Sequence, residues 1–404
     1  MKRFFLFPLL AMAANMYAYQ VSDSLYIGPS DRVANLIMST KDYDDWIAND
    51  GFRRSDKPEA IAKYLYGYFK DDFDCIMLIS KEEKCPSTIS YYGINMTISN
   101  EVQGLGVSIY NDAKYYGSDG KLMSLMYLPY VDAIKWGPTL HEFCHCWANF
   151  AIPSVVDGHW GICGGNTKGQ LGGFEQSTLQ TNVDGNANKY SVGSFGTNAN
   201  GGNGVPYNEM ELYLMGMLPI DSVQEFDAFL DVPGESFMVD PKDESRIVFT
   251  AGERIHYTQQ SIIDSLGVRV PNYKDSQKSF RTLFVILSKA PLTEAEWKEY
   301  DANIGWFCQT SDDGMPWLYN FWEATRGVGS INPNELSSAL KSGAGIHDAK
   351  PILPIRIEGR LVICEEEMRI INQQGTDVTS LNGNLPFGIY VVQTAHSSTT
   401  ILIK

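Results

Sequence analysis

The sequence predicts a mixed α/β (α+β) domain followed by a small C-terminal β-sandwich. Apolar runs of strand length alternate with helix signals through most of the chain. The pattern is then lost between Lys341 and Pro354, and short apolar runs separated by Gly, Asn and Pro fill the remainder. A chain of 404 residues that is 44% hydrophobic is long enough to bury one large core and one small core.

The N-terminus has the pattern of a signal peptide. Two basic residues precede an apolar run from Phe4 to Ala14, which is too short to span a bilayer. We expect a signal peptide over residues 1–18, with cleavage after Ala13 or after Ala18. No later run reaches the ~20 apolar residues of a membrane span, so we predict a secreted or surface-attached protein without a transmembrane segment in the mature chain. A net charge of −16 argues against a nucleic-acid partner.

The first half of the predicted large domain contains two buried strands and one helix. Strands are predicted over Asp74–Ser80 and Leu122–Tyr130, since both are apolar runs bounded by turn residues. A helix is predicted to begin near Pro138 and to end before Pro153. The Gly- and Asn-rich segment 158–204 is predicted to be a long ordered loop.

The second half of this domain opens with a short helix. Asn208 is its expected cap and Glu209–Met215 its body. A strand is predicted over Phe280–Leu287, and the capping box Thr293–Glu296 opens a helix that contains Trp297. The large domain is thus assigned to residues 19–340.

The C-terminal part is predicted to be a separate β-domain. Residues 341–353 form the expected linker, and residues 354–404 form the β-sandwich. Its predicted strands are Arg360–Cys364, Met368–Asn372, Gly388–Gln393 and Thr400–Ile403.

The predicted helix after Pro138 carries the pattern of a metal site. His141 and His145 are four residues apart, so their imidazoles lie on one face of a helix and can bind the same ion. Glu142 follows the first of them, where its carboxylate can accept a proton from a water molecule instead of binding the metal. The spacing predicts a zinc site with Glu142 as the general base.

A catalytic zinc ion needs a third protein ligand. The positions three and six residues beyond His145, where one class of zinc peptidases has a glycine and its third ligand, hold Ala148 and Ala151. Two candidates remain, His159 and Glu211. We favour Glu211, because a helix positions a ligand more rigidly than a Gly-flanked loop does.

The seven cysteines leave at least one unpaired thiol if all disulfides are internal. Cys75 and Cys85 are the only two close enough in sequence to suggest a pair. Cys144 and Cys146 cannot pair on a helix, since residues two apart point to different faces.

Three segments together resemble a family of exported bacterial zinc metallopeptidases. They are Leu140-His-Glu-Phe-Cys-His-Cys-Trp147, Gly158-His-Trp160 and Tyr207-Asn-Glu-Met-Glu-Leu-Tyr-Leu-Met-Gly216. The resemblance implies a zincin-like fold, with His141, Glu142 and His145 in the metal and base roles, and it singles out His159 and Glu211 over Glu209. Cys144 departs from the glycine that is usual in this family.

Residues 354–404 resemble the C-terminal sorting domain of type IX secretion cargo. The similar segments are Met368-Arg-Ile-Ile-Asn-Gln-Gln-Gly375, Leu385-Pro-Phe-Gly-Ile-Tyr-Val-Val392 and Ile401-Leu-Ile-Lys404. The resemblance implies recognition by an outer-membrane secretion machinery, with release or surface attachment.

These observations predict a secreted zinc metallopeptidase that acts on a protein or peptide substrate. The apolar strand before the metal helix could pair with an extended substrate. One alternative is a surface adhesin that has kept a zincin fold without turnover, although an intact Glu142 argues against it. The other is a zinc hydrolase of a non-peptide bond.

Overall fold

The computed structural model describes residues 18–153, 159–193, 201–342, 356–364, 367–394 and 398–403. The predicted signal segment, apart from Ala18, and most of the predicted linker lie outside them. The strands are β1 (Tyr19–Gln20), β2 (Leu25–Ile27), β3 (Val33–Ile37), β4 (Cys75–Ser80), β5 (Ile94–Thr97), β6 (Ser99–Asn100), β7 (Tyr110–Asn111), β8 (Ser124–Leu128), β9 (Gly161–Gly165), β10 (Gly172–Glu175), β11 (Lys189–Gly193), β12 (Phe226–Leu230), β13 (Met238–Asp240), β14 (Asp243–Thr250), β15 (Glu253–Tyr257), β16 (Ser279–Ser288), β17 (Ser330–Asn332), β18 (Arg356–Glu358), β19 (Leu361–Ile363), β20 (Met368–Asn372), β21 (Gly388–Thr394) and β22 (Ser398–Ile403). The α-helices are α1 (Thr40–Ala48), α2 (Asp56–Tyr68), α3 (Ala133–Trp136), α4 (Thr139–Cys144), α5 (Glu209–Leu214), α6 (Gln259–Leu266), α7 (Glu294–Cys308) and α8 (Phe321–Ala324).

A mixed sheet forms the centre of the large domain. Its strand order is β1-β2-β3-β16-β4-β8-β5, and β17 pairs with β16. The four central strands are parallel, whereas β2 and β5 run antiparallel to their neighbours. Every residue of β4 and β8 is buried, as expected for parallel strands that are covered on both faces. The predicted α+β class and both predicted strands in this region are confirmed.

Alternate residues of the central strands enter two different cores. Met77 and Ile79 of β4 pack in the core that contains α4, α5 and α7. Ile76 and Leu78 pack in the core that contains α1 and α2. Because side chains alternate along a strand, the sheet separates the two cores. The predicted metal helix therefore lies on one face of the sheet, together with α5.

The helix predictions outside the metal site are confirmed. Helix α5 begins with the capping box of Asn208 and Glu211, and α7 begins with that of Thr293 and Glu296. The strand predicted over Phe280–Leu287 is β16, which lies between β3 and β4.

The prediction of a long loop over 158–204 is wrong, because β9, β10 and β11 lie in this segment. Strands β9 and β10 pair with each other, and β12 and β15 complete the same sheet. Their glycines hide the apolar alternation that normally marks a strand. At Gly165 a Cβ atom would lie 3.1 Å from the side-chain nitrogen of Asn208, so the missing side chain allows the strand to approach α5 closely.

The described C-terminal residues contain the predicted short strands. Strands β18 and β19 form one sheet and β20, β21 and β22 form another, all antiparallel. Val362 of the first sheet shares a hydrophobic core with Ile370 and Val392 of the second. The described residues of this core all come from the C-terminal segment.

The cysteines are free thiols in the described part of the chain. The thiol of Cys75 is buried in β4, and that of Cys85 lies 3.3 Å from the carbonyl oxygen of Tyr91. The suggested Cys75–Cys85 disulfide is therefore not present. None of the helices among the described residues has the length and apolar character that a membrane crossing requires.

Candidate metal centre

Helix α4 begins after Pro138 and ends before Pro153, as the sequence predicts, and its last residue is Cys144. Side chains from outside the helix bind the carbonyl oxygens near its end. The Asn95 amide donates to the carbonyl of Glu142 (2.7 Å), and the Thr97 hydroxyl donates to that of His145 (3.5 Å). These contacts satisfy carbonyl groups that a longer helix would use, so the helix can end here.

The pair of histidines still has helical geometry. His145 is the C-terminal cap residue of α4 and keeps right-handed helical dihedral angles. Its backbone N–H donates to the carbonyl of His141 (3.3 Å), and the two Nε2 atoms are 3.0 Å apart. At the other end, Asn203 accepts a hydrogen bond from the Leu140 N–H (3.0 Å) and fixes the start of the helix.

A third histidine joins this pair. The Nε2 atom of His159 lies 3.1 Å from that of His141, and its ring is nearly parallel to the ring of His141, with centroids 5.1 Å apart. Among the described residues, His141, His145 and His159 form a group that could hold a metal ion. A tetrahedral metal with nitrogen ligands at ~2.0–2.1 Å would separate those nitrogens by about 3.3–3.4 Å, which is close to the observed spacing.

The hydrogen bonds of the other ring nitrogens show why these histidines fit a cation. Nδ1 of His141 lies 2.8 Å from the carbonyl oxygen of Gln170, so this nitrogen must donate. Nδ1 of His145 lies 2.5 Å from the amide oxygen of Asn149. Burial lowers the pKa of His141 well below its usual value and that of His145 to about 4, so both rings are neutral. Their Nε2 atoms then carry lone pairs that face each other, an arrangement that a bound cation stabilises.

Trp160 fixes the position of the preceding residue, His159, which is the third histidine of the group. The indole N–H of Trp160 donates to the carbonyl of Ala148 (2.6 Å), and its backbone N–H donates to that of Leu171 (2.7 Å). The side chain of Trp160 is buried. This ring thus ties the His159 segment to the chain just beyond α4, so His159 is held more firmly than a loop position suggests.

The structure brings His159, and not the favoured candidate Glu211, to the histidine pair. Both carboxylate oxygens of Glu211 bind backbone: Oε1 accepts from the N–H of Leu171 and Oε2 from that of Asn208, each at 2.8 Å. The side chain is fully buried, and burial raises its pKa to about 7. In this arrangement the carboxylate of Glu211 caps the start of α5 and does not contact the histidine pair.

Glu211 nevertheless reaches the site through the backbone. The carboxylate of Glu211 holds the backbone N–H of Leu171. The carbonyl oxygen of the preceding residue, Gln170, accepts a hydrogen bond from His141. Gly169 makes this possible, because a Cβ atom there would lie 2.6 Å from Oε1 of Glu211. Glu211 therefore supports the orientation and tautomer of a candidate ligand, as groups beyond the ligands of metal sites commonly do.

The carboxylate of Glu142, the residue after His141 in α4, is buried and accepts no hydrogen bond from a described residue. Burial raises its pKa well above its usual range. Its Oε1 packs against Gly93, where a Cβ atom would lie only 2.6 Å away. Gly93 directly precedes β5, so the start of this strand lies against the predicted base.

Several residues of this site were not found from the sequence. The contribution of Gln170 is a backbone carbonyl, which leaves no side-chain signal. Gly93 and Gly169 contribute by having no side chain. Asn149 could have been found, because the sequence predicts a helix through this segment, and residues four apart on a helix, such as His145 and Asn149, can contact each other.

Comparisons with protein families, with characterised proteins and with solved structures found no match to this chain.

Proposed function

We propose that this chain is a zinc-dependent peptidase, with His141, His145 and His159 as metal ligands and Glu142 as general base. The observation that carries the proposal is the convergence of three imidazole nitrogens, with a buried carboxylate on the residue that follows the first of these histidines in α4. Three histidines are a known ligand set of catalytic zinc.

The metal ligands and Glu142 have separate roles in the proposed reaction. A Zn²⁺ ion bound here would supply a Lewis acid and lower the pKa of water. Glu142 takes the proton of the attacking water and gives it to the leaving amine. The raised pKa of Glu142 is compatible with this role, because a nearby positive charge favours the ionised form of a carboxylate. Burial of the site keeps bulk water from competing for these contacts.

The edge of the main sheet favours an extended peptide as substrate. The strand before the metal helix, β8, cannot accept a substrate strand because it pairs with β4 on one side and β5 on the other. The end of the sheet next to α4 is β5. Its Asn95 and Thr97 contact the carbonyls of α4, and Gly93 at its start touches Glu142. A peptide added to β5 would therefore run past the base.

Zinc titration with a hydrolysis assay tests this proposal. We expect the metal-free protein to bind about one zinc per chain with a rise in melting temperature, because binding to the folded state alone stabilises it. Casein hydrolysis should appear with zinc and disappear with a chelator. A protein whose melting temperature does not respond to zinc would refute the metal site. Zinc binding without any hydrolysis would instead favour an adhesin, and hydrolysis of esters alone would favour a non-peptide substrate.

We further propose that residues 354–404 act as a sorting domain for an outer-membrane secretion machinery. The support is a separate hydrophobic core whose described residues all belong to this segment. A chain that ends before Pro354 is expected to keep the melting temperature and hydrolytic activity of the large domain, since none of the described residues of this segment belongs to either of the two main cores. In the source cell the same truncation should leave the protein in the periplasm, as measured by fractionation. Normal delivery of the truncated chain to the surface would contradict the sorting role.

A further inference from the structure

A cavity of about 540 Å³ lies at the end of the main sheet where three of its parallel strands begin. Two residues of its wall, Asp74 and Met123, directly precede β4 and β8, and a third, Phe280, is the second residue of β16. Cys146 and Trp147, which follow α4, form another part of the wall. None of the three histidines of the candidate metal centre lines this cavity. It is therefore a separate place for a ligand.

The wall of the cavity contains a buried arginine that forms no ion pair with a described residue. Arg269 is only 4% exposed. Its Nε donates to the carbonyl of Leu214 (2.9 Å), and its Nη1 donates to the carbonyl of Pro271 and to the hydroxyl of Ser276 (2.5 Å). Nη2 makes no hydrogen bond to a described residue. Burial lowers the pKa of this guanidinium to about 10, so it is charged at neutral pH. A buried cation whose partners are all neutral is stabilised by an anion.

The surroundings of Arg269 add to the positive charge. Gly216 has a φ of +75°, and a Cβ atom there would lie 2.6 Å from Nη2 of Arg269, so the glycine leaves room for the guanidinium. Lys278 donates to the carbonyls of Gly216 and Tyr273 and also forms no ion pair with a described carboxylate. Burial and the charge of Arg269 lower the pKa of Lys278, so the two cations are near each other. This region is thus locally basic in a chain with a net charge of −16.

A buried carboxylate lines the same cavity. Asp74 is 4% exposed, and its Oδ2 accepts from the backbone N–H of Arg281 (2.6 Å). It forms no ion pair with a described residue, and burial raises its pKa above the usual value. A cation beside it would stabilise its ionised form. The other two charged residues of the wall, Glu101 and Lys121, are exposed. The buried part of the wall therefore holds one group of each sign, and these two groups are not paired with each other.

Apolar side chains complete the buried wall. Trp147, Met215 and Phe280 are buried, and the ring centroids of Trp147 and Phe280 are 5.1 Å apart. At about 30 Å³ per water molecule the cavity has room for about 18 waters, which is enough for a dipeptide. A ligand that matches all of these surfaces has a carboxylate, an ammonium group and an apolar side chain. A phosphate or a dicarboxylate matches them less well, because Asp74 would repel its second negative charge.

We infer that this cavity, which we call the Arg269 cavity, binds a small zwitterion, namely a dipeptide with an apolar side chain. The carboxylate of the dipeptide binds Arg269, its ammonium group binds Asp74, and its side chain packs on Trp147 and Phe280. This binding site goes beyond the proposed peptidase function, because it needs neither zinc nor hydrolysis. Short peptides are also products of peptide hydrolysis, so the cavity offers a place where such products can bind away from the metal centre.

Isothermal titration calorimetry with the dipeptide Leu-Phe tests this inference. The full chain carries Glu142→Gln, so that the dipeptide stays intact, and each titration is run once with zinc and once with a chelator. We expect the same affinity in both, because no proposed zinc ligand lines the cavity. N-acetyl-Leu-Phe lacks the ammonium group and Leu-Phe amide lacks the carboxylate. Each should bind about 10- to 100-fold more weakly than Leu-Phe, as expected for the loss of a hydrogen bond between charged groups.

Asp74→Asn assigns the ammonium group to its partner. The amide oxygen of asparagine can still accept from the Arg281 N–H, so the fold should be kept. In this variant acetylation should no longer weaken binding, whereas amidation should weaken it as before. Asp72→Asn is the matched control, because Asp72 pairs with Arg281 (3.6 Å) and does not line the cavity, so both effects should remain. Arg269→Gln should show the reverse pattern, and Asp74→Asn decides alone if that variant does not fold.

The outcomes keep this site apart from the proposed function. No binding of Leu-Phe, equal binding of its blocked forms, or an acetylation effect that persists in Asp74→Asn would overturn the inference. Binding that disappears with the chelator would place the dipeptide at the metal centre and would also overturn it. Tighter binding of inorganic phosphate than of Leu-Phe would indicate a simple anion site instead. A wild-type chain that neither binds zinc nor hydrolyses peptides refutes the peptidase proposal but leaves the titration with chelator as a complete test of the cavity.

Discussion

The variant Glu142→Gln is expected to lower kcat for peptide hydrolysis by about 10²- to 10⁴-fold, the usual contribution of a general acid–base group. Glutamine has nearly the same size, so it fits against Gly93 in the space that the carboxylate now fills. It cannot accept and return a proton. Since Glu142 is not part of the three-histidine group, zinc binding should remain at the wild-type level. Metal analysis and initial rates on one protein preparation measure both quantities.

Glu209→Gln is the matched control for this experiment. Glu209 lies on α5, and its carboxylate interacts with Arg326 (3.5 Å) outside the histidine site. The Glu209→Gln variant should therefore hydrolyse peptides at the wild-type rate. If Glu142→Gln also retains that rate with a full complement of zinc, the assigned base is wrong. If it loses zinc, Glu142 contributes to metal binding and the division of roles is wrong.

The sequence predicted those elements whose signals are local. The strand β4 consists of consecutive apolar residues, and α5 and α7 begin with capping boxes that can be read directly. His141 and His145 were recognised for the same reason, because their spacing alone places them on one face. Such features depend on interactions within a few residues.

The sequence provides only an upper limit for the end of α4, because distant residues determine where the helix ends. Asn95 and Thr97 are about fifty positions before the carbonyls they bind, and Trp160 binds the carbonyl of Ala148 from beyond the helix. Helix propensity gives no information about these partners. The same applies to β9, where Gly164 and Gly165 lack the side chains that mark a strand but still pair with neighbours.

The choice between His159 and Glu211 shows the limit most clearly. Both residues lie next to elements that the structure brings to the site, so position along the chain did not distinguish them. The distinction is in hydrogen bonding: the Glu211 carboxylate closes a capping box and holds Leu171, whereas Nε2 of His159 lies near that of His141. A capping box signals that a carboxylate is already engaged, and this signal was available in the sequence at Asn208 and Glu211.

Replacing His159 by Ala is expected to cost more zinc affinity than any other single change outside α4. Removal of one of three proposed ligands leaves only the two imidazoles of α4, so the affinity should fall by much more than the ~10- to 100-fold that is typical for groups beyond the ligands. Zinc affinity measured by competition with a chelator tests this. His256→Ala is the matched control, because Nδ1 of His256 lies 3.1 Å from Asp227 and His256 is not one of the three histidines of the group, so zinc affinity should stay unchanged.

The comparison variant Glu211→Gln should lose zinc affinity by only the ~10- to 100-fold that is typical for groups beyond the ligands. The backbone N–H groups of Leu171 and Asn208 now donate to the two carboxylate oxygens. A glutamine has one acceptor oxygen and a donor NH₂ group, so it can accept a hydrogen bond from only one of these N–H groups. The unsatisfied N–H should cost about 1–3 kcal/mol of stability. It should also loosen the Gln170 carbonyl that orients His141. If Glu211→Gln instead abolishes zinc binding while His159→Ala only weakens it, the carboxylate must leave its cap to bind the metal, and Glu211 is the third ligand.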